Sequence, residues 1–240
     1  MALEPLHGVV VGRVDVGDTG RIIRFLSAEE GRVSLITHGA RGKLKGLLEV
    51  GSNLVVARRR GRGDLDVVVD VVWQGGPRRA RADLHRLSLL AYGCELCAAI
   101  APEGAPAPKA FGLLSVWLEL LEGDVAPGDG ARLALEAKAL TFAGLTPAFL
   151  RCALCGRPSD DRMRFDRAGG GAVHDACGAN GPDVTIEWLL AVERLRRTPL
   201  AETVGDDLPA GPRTALADLA EWALGAGLRS RGLLDGLTDR

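Results

Sequence analysis

Four side chains within one short stretch have the types and spacing to hold a metal ion. In CALCGRPSDDRMRFDRAGGGAVHDAC, residues 152 to 177, Cys152, Cys155, His174 and Cys177 give the pattern C-x2-C-x18-H-x2-C. Zn2+ prefers four tetrahedral nitrogen or sulfur ligands, and two ligands two residues apart can approach one ion from a single tight turn. Gly156 after the first pair, and Gly169, Gly170 and Gly171 before the second, let the chain reverse. Four protein ligands leave no position for an activated water, so the pattern predicts one structural zinc ion rather than a catalytic one. A zinc nucleobase deaminase would need H-x-E followed by P-C-x-x-C, with the glutamate moving protons. Here Asp175 and Ala176 follow the histidine and the C-x-x-C comes first.

Other reactive residues carry less. Cys94 and Cys97 form a second C-x-x-C, but they share a helical stripe with Leu87, Leu90 and Ala101, which predicts buried core thiols rather than a redox dithiol. The segment THGARGKLKG lacks the G-x-x-x-x-G-K-[ST] spacing of a phosphate loop. His7, His38 and His85 stand apart from any nucleophile pattern, and no G-x-S-x-G occurs. The chain is not expected to be an enzyme.

Charge points elsewhere. The net charge is only -1, yet residues 1–81 hold 14 Lys and Arg against 9 Asp and Glu. The excess gathers at Arg41, Lys43 and Lys45, at Arg58, Arg59, Arg60 and Arg62, and at Arg78, Arg79 and Arg81. These are candidate contacts to a polyanion; as solvated strand ends they would have no partner.

The elements that must position these residues follow from periodicity. With 47% hydrophobic residues and mixed charge, the 240-residue chain reads as globular, with material for two domains. Five cysteines, an odd count set largely in close pairs, suit a reducing cytoplasm. No run of about 18 uncharged apolar residues suggests a membrane span, and MALEPLHGVVVG has no secretory pattern. Short alternating runs at 8–14, 20–27, 32–38, 54–60 and 64–72 predict five strands. In the last of these, Leu65, Val67, Val69 and Val71 should share the buried face. Five such strands close economically as a small barrel; an oligonucleotide-binding (OB) barrel, an SH3-like barrel and a small sandwich all fit the pattern. After WQGGPRRARAD, a linker placing a boundary near residue 80, the period becomes helical. Helices are expected along Leu87 to Ala101, along Phe111, Leu114, Leu118 and Leu121, and over 131–143. Two more are expected, one after an N-cap at Asp183 and one from Pro212 along Leu216, Leu219, Ala223 and Ala226.

The order of these features resembles the RecO family of bacterial recombination mediators. VVVGRVDVGDTGRIIRFLSAEEGRVSLITHGARGKLKG is similar to the family's N-terminal pattern, RLALEAKALTFAGLTPAFLRCALCG to the helix leading into its first zinc ligand pair, and GLRSRGLLDGL to its C-terminal end. The resemblance covers nearly the whole chain. It implies an α+β protein: a five-stranded OB-fold barrel over residues 1–80, then an all-α domain over 81–240 with a zinc knuckle inserted at 152–177. It implies zinc at Cys152, Cys155, His174 and Cys177, although the family commonly uses four cysteines and His174 departs from that. It further implies binding of single- and double-stranded DNA, annealing of complementary strands, contacts with single-strand-binding protein and RecR, and help in loading RecA. The setting would be DNA repair in the cytoplasm, at the nucleoid.

Phosphate contacts from Arg and Lys dominate non-specific DNA affinity, so the basic candidates above become the expected DNA contacts. Aromatic platforms for bases are scarce, because residues 1–80 hold only Phe25, expected in the core, and Trp73. Binding should therefore be led by charge. A zinc-ribbon regulator or RNA-binding module is the competing expectation, and it would show sequence or RNA preference.

Overall fold

Alternation of apolar and polar residues builds the N-terminal strands, and their inward faces meet around one core. The computed structural model describes residues 3–17, 20–38, 46–61, 65–225 and 227–238. The strands are β1 (Glu4–Val16), β2 (Gly20–Ser27), β3 (Gly31–His38), β4 (Asn53–Arg59) and β5 (Asp66–Gly75). They close in the order β1-β2-β3-β5-β4, with β4 returning to β1. All pairings are antiparallel except β3 with β5. This is the five-stranded OB barrel. Leu6, Val10, Ile23, Phe25, Leu35, Leu54, Val56 and Val68 fill its interior.

β1 serves two neighbours. Residues 4–9 pair with β4 and residues 9–16 with β2, and an irregularity between Val10 and Gly12 bends the strand between them. A second irregularity corrects the expected face of β5. Ala57 opposes Asp70 while Arg58 opposes Val68, so Val69 is the extra residue of a bulge. Val68 and Val71 therefore both turn to the core and Val69 lies exposed.

Helices follow: α1 (Arg78–Ala82), α2 (Leu84–Ile100), α3 (Pro108–Glu122), α4 (Asp129–Phe142), α5 (Ile186–Arg197), α6 (Ala215–Leu224) and α7 (Arg231–Thr238). Between α4 and α5 lies a small sheet, β6 (Met163–Asp166), β7 (Gly171–His174) and β8 (Asp183–Val184), in the order β7-β6-β8. Among the described residues no helix is long and apolar enough to cross a membrane.

Packing divides the chain into Met1–Glu122 with Arg229–Arg240, and Gly123–Leu228. The change from β to α near residue 80 is thus not a packing boundary, and the expected linker is clamped. Pro77 is buried over Gly51, Ala80 is buried, and the Glu122 carboxylate accepts the backbone N–H groups of Arg79 (2.9 Å) and Ala80 (3.1 Å). The loop after α2 also seats on the barrel, with Arg32 N–H donating to Pro102 (2.8 Å) and Ala107 N–H to Ala28 (2.9 Å). Gly31, at φ +62°, makes this approach possible, because a side chain there would run into the carbonyl oxygens of Pro102 and Ala105.

In the first unit α2 is buried around most of its circumference, including Cys94 and Cys97, and Leu87 is exposed rather than facing the core. Helix α7 was not expected. The Glu95 carboxylate on α2 accepts the N–H groups of Arg229 (3.0 Å) and Ser230 (2.8 Å) and holds its start. The final helix expected from Pro212 is α6, stopped by Gly225 at φ +62°. In the second unit α4 packs against α5 and α6. The cap of α5 is Thr185, whose hydroxyl accepts from Trp188 N–H (3.2 Å), not Asp183, which lies in β8 and pairs with Arg164 at 3.3 Å.

Candidate metal centre and nucleic-acid interface

Cys152 and Cys155 lie on the loop after α4, His174 ends β7, and Cys177 closes the helical turn that follows. Backbone pairing brings the two halves together. Cys152 N–H donates to Arg157 (2.8 Å), Gly156 N–H to Cys152 (2.9 Å) and Ala153 N–H to Ala172 on β7 (2.8 Å). Ala172 N–H donates to Ala148 (2.7 Å). Gly171, at φ +144°, permits this contact, because a Cβ there would lie 2.5 Å from Ala148 N and closer still to its oxygen. Asp166 fixes the rest of the sheet, accepting Ala168 and Gly169 N–H at one oxygen (2.8 and 3.1 Å) and Asn180 N–H at the other (2.9 Å). Beneath the sheet, Phe165 stacks on Phe149 and meets Trp188 edge-on.

The four ligand atoms lie within 4.8 Å of one another. Tetrahedral zinc with bonds near 2.3 Å would set sulfurs about 3.8 Å apart, so a small contraction completes the site. Histidine Nδ1 faces the cluster, 3.5 Å from Cys155 Sγ, while Nε2 lies 3.1 Å from the Pro158 carbonyl and 3.5 Å from Asp160. A carbonyl acceptor requires the proton on Nε2, which leaves Nδ1 free to ligate. Two of the three thiols are tuned for the same role. Arg157, with Nε 3.5 Å from the sulfur, draws Cys155 down to about 6. At Cys152 burial opposes ionisation, but the N–H groups of Cys155, His174 and Leu154 outweigh it and hold the thiol below its usual value. The hydrogen bond to Cys155 raises His174 and Cys177. The Cys3His set fits one metal ion with its coordination filled by protein. Arg157 and Asp160 were missed in the sequence, although both lie within five residues of Cys155.

Burial pushes the Cys94 thiol up to about 12 and raises Cys97 as well, in keeping with inert core thiols.

The expected DNA contacts separate into groups. Arg41, Lys43, Lys45 and Arg62 lie outside the described residues. Arg58 is a correction: it is 6% exposed and ion-paired with Glu30, with Asp66 (3.5 Å) and with Glu4 (3.8 Å). Its position in β4 shares the inward parity of Leu54 and Val56, and its carboxylate partners hold the guanidinium at the barrel wall. Arg21 behaves likewise, buried between Asp15 (2.6 Å) and Glu49 (3.2 Å). Arg59 and Arg60 are exposed, as are Arg78, Arg79 and Arg81. The Arg81 guanidinium donates to Val50 O (3.2 Å) and Ser52 Oγ (3.1 Å). Phe25 is buried, and Trp73 is the exposed aromatic of the barrel, with the Arg78 guanidinium 5.7 Å from its ring centroid.

An OB barrel joined to helices, with a Cys3His metal cluster set among them, defines the class of protein. Residues 1–75 match the family model for the N-terminal domain of recombination protein O, and residues 81–231 match that for its C-terminal domain. Among curated proteins, the chain is 35% identical to the DNA repair protein RecO of Anaeromyxobacter dehalogenans (strain 2CP-C), over 96% of this chain and 95% of the relative. It is 34% identical to the DNA repair protein RecO of Myxococcus xanthus (strain DK1622), over 80% of this chain and 82% of the relative. The chain belongs to the RecO family.

Proposed function

We propose that the protein is a DNA repair and recombination mediator. In this reading it binds single- and double-stranded DNA, anneals complementary strands and, with RecR, assists RecA loading onto DNA coated by single-strand-binding protein. Family membership supports it, and the observation that carries it is the OB barrel bearing exposed arginines, with a metal cluster that has no open coordination position. Annealing needs no chemical step. It requires lowering the repulsion between two polyanions while both are held by mobile contacts, which a cationic surface supplies. The barrel over residues 1–80 is the DNA-binding domain, the helical region follows from residue 81, and the setting is the cytoplasm at the nucleoid.

The ion at Cys152, Cys155, His174 and Cys177 is zinc and its role is structural, joining the loop after α4 to β7. When bound it supplies cross-linking, not a nucleophile.

The test is the rate at which the protein, without ATP, anneals two complementary oligonucleotides, bare and coated with single-strand-binding protein. Acceleration that fades with salt is expected. With about four phosphates neutralised, log K for single strands should fall against log salt with a slope near -3. No acceleration at low salt by folded, metal-loaded protein would overturn the mediator reading and favour a zinc-bearing regulator.

A further inference from the structure

We propose that Trp73 and Arg78 form a stacking site for one unpaired base of single-stranded DNA. The site rests on the DNA-binding reading above and gives it a means of telling single strands from duplex.

Three observations carry it. Trp73 is 41% exposed although it is one of the largest apolar side chains in a chain that buries Trp117 and Trp188. Arg78 sits over the indole at 5.7 Å, a cation–π contact that holds the ring's orientation and places positive charge on the ligand's approach. The surroundings are rigid: Pro77 is buried over Gly51, Ala80 is buried, and Glu122 holds the N–H groups of Arg79 and Ala80. Arg78 and Arg79 are both exposed on this clamped turn.

The location separates this site from the other basic group. Trp73 opposes Leu54 at one end of the β4–β5 ribbon, and Arg59 opposes Val67 at the other, next to the connecting loop. Five residue steps along β4 separate Leu54 from Arg59, about 17 Å at 3.3–3.4 Å per residue, and this odd number puts Trp73 and Arg59 on opposite faces of the ribbon. A flexible single strand can present a splayed base to the indole. A duplex keeps its bases stacked, and so meets only the arginines. The ribbon thus offers, on opposite faces, a charge contact open to both forms of DNA and a stacking contact open to one.

The experiment uses the full chain with two fluorescein-labelled probes, a twenty-nucleotide oligothymidylate and a hairpin duplex of equal charge, read by anisotropy at one salt concentration. Trp73→Ala should weaken oligothymidylate binding about tenfold, equivalent to about 1.4 kcal/mol, and change duplex binding less than twofold. Trp73→Phe should keep most of the affinity, whereas Trp73→Leu, apolar without a π face, should behave like the alanine variant. In a Trp222→Phe background, where the remaining tryptophans besides Trp73 are buried, oligothymidylate should quench the tryptophan emission and the duplex should not. Equal losses on both probes, no loss on either, or no quenching would overturn the stacking site while leaving the mediator reading standing. Failure of the unmodified protein to bind oligothymidylate at low salt would overturn both.

Discussion

Replacing Arg58 with alanine should destabilise the barrel without removing a DNA contact. The guanidinium is 8% exposed and meets Glu30, Asp66 and Glu4, whose side chains are 38%, 29% and 75% exposed. Removing one partner of a fully buried ion pair costs about 3–5 kcal/mol, but these carboxylates regain water once the arginine is gone, which reduces the electrostatic part to about 1–2 kcal/mol. The buried stem adds roughly 0.8 kcal/mol per methylene lost from contact. A total of about 2–4 kcal/mol follows, and for a unit of this size each kcal/mol moves the midpoint by about 4 °C, so Tm should fall by about 10 °C. Arg59→Ala and Arg60→Ala, at exposed positions, should alter stability by no more than about 0.5 kcal/mol. Each should instead flatten the salt dependence of single-strand binding by about 0.7 in slope. Thermal unfolding followed by circular dichroism and anisotropy titrations at several salt concentrations separate the two effects. An Arg58→Ala variant that melts with the unmodified protein yet loses slope would refute the assignment of Arg58 to the barrel wall.

The metal centre gives two further expectations. Gly171→Ala should lower metal affinity at least tenfold in a competition titration with a chromophoric chelator, because the new methyl group enters the Ala148 backbone and separates β7 from the loop bearing Cys152; unchanged affinity would show that this contact does not position the ligands. Metal affinity should also fall as pH falls, since protons compete for each ligand. His174 and Cys177, both raised, are protonated first, and below about 6 Cys155 joins them, so the loss should steepen there. A flat profile from about pH 8 to 5 would contradict that assignment of ligands.

Much of the molecule was legible because its signals are local. Period-two alternation located the five strands, and helical spacing located α2 to α6, since each element must turn an apolar face inward. The Cys3His cluster that could hold a metal ion was legible from spacing alone, because two C-x2-type pairs can each reach an ion from one turn. The parity of Leu54, Val56 and Arg58 even marked Arg58 as inward-facing, although the basic run around it suggested one common role.

What the tertiary structure decided depends on residues distant in the chain. The bulge at Val69 arises from pairing with β4 and reverses the face of half of β5, which no pattern within β5 reveals. Glu95 caps α7 from 134 residues away, so the last helix could not be anticipated from its own sequence. Which ring nitrogen His174 turns to the sulfur cluster was set by the Pro158 carbonyl, and the end of the linker by Glu122 and Gly51. By itself the sequence determined which residue types were available and which elements would form. Only the fold decided which arginines are consumed by carboxylates and which remain at the surface, because burial and charge pairing are set by neighbours that come together in space.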